Sequence, residues 1–487
     1  MSENFSKICA KRGDINKIKL VVLTCGLVMG RTFAGFVLEK DDSTLLQSGP
    51  LILGLCCAFL TALLMFFLKF FRGRIIFCHV DVLLTAASFN LIASGFFFAD
   101  NYDIVGLFLS FLAHGLTFIT TLSYLHTAGS KKSRSRTLSV CFMWYILGLS
   151  SAVAVIGNSY HETVEDTSEK QTNPSEKQPT PTIEKPWVYQ TFAWLFLPCA
   201  LLVLGLLITL KVLHLLGHLD YKTCFDNEVR IANSNGTLLD GRQDVIKRVH
   251  FFYVTKSRQW QVSFILIFMD AIYFSLFTYF MFWFSLNDAV RLTKGMGMNF
   301  MMWVVLLGAA IGVAALFFYS IKTIFITATI LHILVIMLGI VLFGAIQTHI
   351  PFWLLCFLFG VTFSHIKIAI VETSHFRYSE LLLFLVYLAN TCSVIIVYLY
   401  FVSGKKNSFF YSTDSSTLMA HGLTFIIITT MLLIIICLQV PRTYDTTLFD
   451  IQYSLLGIIF KNHEIEQLNV RYLNDGTIPT ISRTTGV

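Results

Sequence analysis

The chain has 487 residues, of which 55% are hydrophobic, 15% aromatic and only 13% charged. A soluble domain carries about 25% charged and about 45–50% apolar residues, so this composition excludes an ordinary soluble protein and points to one embedded in lipid. The net charge of +7 is divided into short clusters between apolar runs, which argues against nucleic acid as a partner and makes the charges reporters of topology.

Apolar runs near the roughly 20 residues that cross a bilayer as a helix recur along the chain. They predict α1 at about 18–38, α2 at 50–70, α3 at 75–99, α4 at 103–126, α5 at 138–157 and α6 at 188–213. After a polar linker, 214–258, come α7 at about 259–285, α8 at 297–319, α9 at 321–346, α10 at 351–372, α11 at 380–402 and α12 at 418–440. The expected fold is therefore an all-α membrane protein with twelve transmembrane helices in two six-helix halves, 18–213 and 259–440. The tails are 1–17 and 441–487, and 158–187, with Pro174, Pro179, Pro181 and Pro186 among charged residues, reads as a disordered external loop. The basic N-terminal segment carries no cleavable signal peptide pattern.

Basic residues choose the side. Lys7, Lys11, Arg12, Lys17 and Lys19 precede α1; Arg72 and Arg74 follow α2; Lys131, Lys132, Arg134 and Arg136 follow α4; Lys222, Arg230, Arg242, Lys247 and Arg248 lie in the linker. All fall on one face, which the positive-inside rule assigns to the cytoplasm together with both termini. The opposite loops are acidic, with Glu39, Asp41, Asp42, Asp100, Asp103, Glu162 and Glu165. The second half follows the rule less well, and Lys405 and Lys406 fall on the external side. The plasma membrane is the default expectation for such a chain.

Four junctions carry short motifs. Phe70-Phe71-Arg72-Gly73-Arg74 follows α2, and Tyr124-Leu125-His126-Thr127 runs through Lys131-Lys132 to Arg134-Ser135-Arg136 after α4. Val371-Glu372-Thr373-Ser374-His375-Phe376-Arg377 closes α10, and Pro441-Arg442-Thr443-Tyr444-Asp445 follows α12, then Leu448-Phe449-Asp450-Ile451. In order and spacing these resemble the junction motifs of the major facilitator superfamily, in its sugar-porter-like branch, over about residues 18–452. The resemblance implies two six-helix halves that rock about a central site, with α1, α4, α7 and α10 lining the cavity. It also implies that Arg72, Arg74, Arg134, Glu372 and Arg377 are gating latches. The chain departs from the branch where sugar would be held: the Gln-Gln pair of α7 and the Trp near the end of α10 are missing, and the basic element after α8 is reduced to Lys322.

Ionisable residues inside apolar runs cost about 3 kcal/mol or more at mid-bilayer, so each must face a partner or a wet cavity. Arg31 in α1, His114 in α4, Asp270 in α7, and His365 and Lys367 in α10 are the candidate substrate-binding residues. Arg31 and Asp270, at equivalent places in the two halves, are expected to meet near the midplane, the guanidinium binding an anionic or polyhydroxyl group. A permanent structural ion pair is the bland alternative. His114 and His365 read as proton relays or as packing residues, and Lys367 as a cavity group or a side chain that snorkels to the interface. Asn90 and Asn390 read as interhelical hydrogen bonds, His332 as packing, and Asp81 with His79 as a minor gate.

The eleven cysteines form no CxxC pair and read as packing residues. No phosphate loop, HExxH, GxSxG or metal-ligand cluster occurs, so neither catalytic residues, metal nor cofactor is expected. The expected function is a transporter for a small polar organic solute, either a facilitator or a carrier using protons as a second partner. It would work as a monomer in the lipid bilayer. A transport-inactive receptor, sensor or scaffold derived from a carrier is the second reading.

Overall fold

The structure is a computed structural model. It describes residues 16–32, 79–98, 103–128, 133–170, 186–219, 258–286, 297–346, 350–374, 378–404 and most of 415–441, with Cys56, Phe59, Leu60, Leu63, Thr443, Ile451 and Leu455. Helix α1 runs over 16–32, and the four described residues of α2 are helical. The others are α3 (His79–Phe98), α4 (Asp103–Ala128), α5 (Arg134–Lys170), α6 (Pro186–Leu215), α7 (Arg258–Leu286), α8 (Gly297–Ala315), α9 (Ile321–Ile346), α10 (Ile350–Thr373), α11 (Ser379–Gly404) and α12 (Ser415–Gln439). Seven stretches among the described residues are long and apolar enough to cross a membrane, and the chain is a multi-pass membrane protein.

The bounds of α5 and α8 differ most from the sequence expectation. Helix α5 does not stop near 157 but continues to Lys170, so part of the supposed disordered loop is helix. Its last residues, His161 to Lys170, contain no proline, and the prolines that break helices begin at Pro174. Helix α8 ends at Ala315 rather than 319, and its last carbonyls are taken by a tight turn, with Leu316, Phe317 and Phe318 bonding three residues back. Helix α6 begins on a proline, whose fixed φ and missing N–H suit the first helical position. It ends with Gly217 at φ 75°, where His218 N–H reaches back to the Leu213 carbonyl.

Burial separates an inner ring from an outer one. In α10 and α4, 83% and 78% of the spanning window is buried, against 22% in α6 and 39% in α9. The outer helices face lipid with Leu201, Leu202 and Ile208 on α6, Leu334 and Val341 on α9, and Ile427 and Met431 on α12. Helices α3, α4 and α6 pack together in the first half, and α7, α9, α10, α11 and α12 in the second. The halves meet through α5 against α8 and α10, and through α4 against α11 and α10.

Without a hydrophobic drive between helices in lipid, close approach through small residues supplies packing. A Cβ on Gly308 of α8 would lie 2.0 Å from the Phe357 carbonyl oxygen, and one on Gly360 of α10 would lie 2.1 Å from that of Val305. Neither neighbour is a side chain that can swing aside. Gly360→Ala is therefore expected to cost about 1–3 kcal/mol through overpacking. It should lower the melting temperature of the detergent-solubilised protein; an unchanged value would show that the crossing tolerates a methyl group.

Candidate functional site

Lys367 and Asp270 form a deeply buried ion pair. Nζ lies 2.6 Å from Oδ1, with side-chain exposures of 2% and 3%. Asp270 stands about 18 Å along α7 from Arg258, near the middle of the helix. Lys367 is about 9 Å from the Thr373 end of α10. Helical side chains tilt toward their own N-terminus, so Lys367 leans inward and not toward the nearby helix end, and does not snorkel. Its ammonium lies 4.1 Å from the centre of the Phe363 ring and 5.5 Å from that of Phe274. Asp270 Oδ2 is buried and has no hydrogen-bond partner among the described residues.

An aromatic belt surrounds the pair. Phe277 of α7 stacks on Phe359 of α10 with centroids 3.8 Å apart. Phe363 contacts Phe274 in its own half and Phe142 and Tyr145 of α5 in the other. His114 of α4 sits among Phe118, Tyr145 and Tyr387 of α11, with the Tyr387 ring 5.3 Å away. Tyr387 donates its hydroxyl to the Phe111 carbonyl across the seam, at 3.5 Å.

The expected meeting of Arg31 with Asp270 does not occur. Arg31 turns to α6, where its guanidinium donates to Cys199 Sγ, while Lys367 holds the Asp270 carboxylate. Equal rank in two related halves does not bring every side chain to the same point. His365 is also elsewhere. It lies two residues, about 200°, from Lys367, so it faces α8, where it packs against Gly312 and its Nδ1 meets the Val361 carbonyl. His332 bonds the Ala328 carbonyl and packs against Tyr273. Among the described residues Asn90 makes no interhelical hydrogen bond; both its amide atoms lack a partner there, beside a small cavity lined by Cys25, Leu83 and Thr117.

The second cluster lies at the basic end of the bundle. Arg134 and Glu372 are almost wholly buried, with Nε 3.4 Å from Oε1, and join α5 of one half to α10 of the other. Ser135 donates its hydroxyl to the same carboxylate oxygen. Arg136 donates to the Leu316 carbonyl just past α8, with its guanidinium 4.3 Å from the Phe317 ring centre. Ser139 and Ser364 lie 3.2 Å apart across the same seam. Gln259 donates to the Thr373 carbonyl and ties the start of α7 to the end of α10. Arg72, Arg74 and Arg377, also expected to be latches, lie outside the described residues.

Sequence reasoning missed Arg136 and the contact of His79 with Glu380, which spans α3 and α11 at 3.9 Å. Asp81 pairs instead with Lys211 of α6 at 2.6 Å, so Asp81 and His79 do not act on one contact. A signal for Arg136 exists. Arg134 and Arg136 stand in the first turn of α5, where the positive end of the helix dipole opposes cations, so both require partners from outside the helix. They find a carboxylate and a helix-terminal carbonyl, which carry the opposite sign.

No protein-family model matches the sequence, and no curated protein matches it. Solved structures do. A major facilitator superfamily proton:xylose symporter, XylE, bound to 6-bromo-6-deoxy-D-glucose, superposes with TM-score 0.64 at 12% identity, over 91% of this chain and 100% of that one. XylE from E. coli in an inward-open conformation gives 0.52 at 13%, over 91% and 99%. The human organic anion transporter TETRAN gives 0.54 at 12%, over 86% and 99%. At these identities the likeness establishes the fold, which is the major facilitator fold.

Proposed function

We propose that this chain, having the fold of the major facilitator carriers, moves a small polar organic solute, sugar-like or an organic ion, across its membrane by alternating access. The observation that carries this reading is the seam at the basic end. Its halves are joined there by a buried charge pair, Arg134 with Glu372. A buried pair gains little net stability over an apolar contact, because desolvation offsets most of its attraction. Water entering on separation rehydrates both charges, so such a seam parts at small cost. In this reading the basic end is the cytoplasmic face, closed here, and Arg134, Glu372 and Arg136 are its latch. The site lies deeper, at Asp270 and Lys367, with the aromatic belt and His114 around it.

Proteoliposome uptake of labelled sugars, organic anions and organic cations, with and without a pH gradient, tests the reading. At least one solute should enter faster than into protein-free vesicles. Asp270→Asn should lower net uptake about tenfold or more. If no solute in a broad panel crosses, the chain is a receptor or scaffold on a carrier frame. If Asp270→Asn carries solute at the wild-type rate, the site is elsewhere.

A further inference from the structure

We infer that the solute is an organic monocarboxylate with an apolar body, and that it enters the site with one proton, delivered to Asp270. The inference rests on the carrier reading above and specifies its substrate.

Charge balance is the first argument. With the site empty, the ammonium of Lys367 is neutralised by Asp270, its partner at 2.6 Å, and the pair is closed off from water. A lone charge left in that place would cost several kcal/mol. A solute that takes hold of Lys367 must therefore replace the Asp270 carboxylate with a negative charge of its own. Asp270 must lose its charge in the same step. Protonation does this: a proton from the aqueous phase bonds to a carboxylate oxygen of Asp270, the contact with Lys367 breaks, and the solute carboxylate takes over the ammonium. Net charge in the site is zero before and after. A cation would leave Lys367 and the solute repelling each other. A neutral polyol has no charge to offer the ammonium.

The open oxygen is the second argument. Oδ1 is occupied by Lys367, whereas Oδ2 is buried without a partner among the described residues. A buried acceptor with no donor is costly and is the atom best placed to receive the proton. Once protonated it becomes a donor, and a carboxylate beside Lys367 gives it an acceptor.

The walls supply the third argument. Next to the ammonium lie the rings of Phe363 and Phe274, continued by the Phe277–Phe359 stack. Rings hold an apolar body and offer nothing to a run of hydroxyls, in keeping with the missing Gln-Gln pair of α7.

Isothermal titration of benzoate into the full-length protein in nanodiscs, repeated in buffers of different ionisation enthalpy, reads affinity and proton uptake together. Glucose and choline serve as neutral and cationic comparators. Wild type should bind benzoate with uptake of one proton and bind neither comparator. Asp270→Asn should bind benzoate with no proton uptake, and in vesicles it should exchange labelled benzoate while failing to accumulate it along a pH gradient. Lys367→Met should bind it roughly a hundredfold more weakly. Lys367→Met with Asp270→Asn, which leaves no orphan charge, checks folding by its melting curve. Benzoate binding without proton uptake, or glucose or choline bound in its place, would overturn the inference while leaving the carrier reading intact. Benzoate bound but no solute crossing would sink the carrier reading and, with it, the assignment of this site to transport.

Discussion

Replacing Lys367 by Met destabilises the protein by about 3–5 kcal/mol, and adding Asp270→Asn recovers most of that loss. The single change leaves a carboxylate facing Phe274 and Phe363, 3% exposed, with neither its ammonium nor water to balance it. Asp270→Asn alone strands Lys367 in the same way, save that the rings still offer the ammonium their electron-rich faces, worth about 0.5–2 kcal/mol. The acidic orphan should therefore be the less stable of the two singles. The double variant has neither charge, and a methionine fills much of the lysine's volume. Unfolding by SDS titration of all four proteins gives the coupling energy directly. A coupling near zero would mean that the two groups do not meet as the structure has them. A double variant that is also transport-dead, though as stable as wild type, separates the pair's part in function from its part in folding.

How much of this was legible in the sequence depends on what each feature answers to. Helix α9 runs over Ile321–Ile346, the range read from its uninterrupted apolar run, because lipid imposes both its composition and its length. The end of α5 was not legible, since its polar continuation to Lys170 carries no apolar signal. Asp270 and Lys367 were visible as charges in apolar runs. Their pairing was not, because partner choice depends on how each helix is rotated about its axis. His365 and Lys367 were read together as cavity residues, although helical periodicity sets them about 200° apart, and they reach α8 and α7 respectively. The two charges of the Arg134–Glu372 pair were legible from their junction motifs, because each motif places one charge at a helix end; which arginine, Arg134 or Arg377, meets Glu372 was not.

Glu372→Gln shifts the conformational balance toward the state open at the basic end, by about a hundredfold. In the closed state Arg134 is 1% exposed and its charge is balanced by Glu372. Gln preserves the shape and still accepts the Ser135 hydroxyl, but removes the balancing charge. The closed state then holds a buried guanidinium that has lost the charge of Glu372, at a cost of about 3 kcal/mol. In the open state water hydrates Arg134 and the substitution costs little, so the difference between the states moves by nearly the whole amount, and each 1.4 kcal/mol is about tenfold. Arg136→Ala should do less, since it removes one long hydrogen bond of 3.5 Å and a ring contact. Ser364, buried against Ser139 in the seam, provides the readout. As Ser364→Cys it should react with a membrane-impermeant maleimide applied to the basic face far faster when combined with Glu372→Gln. The same proteins without the added cysteine correct for native thiols. Equal labelling with and without Glu372→Gln would show that the pair does not hold the halves together. In that case the seam would rest on its apolar contacts and on Ser139 with Ser364, and the small cost of parting inferred for it would fail.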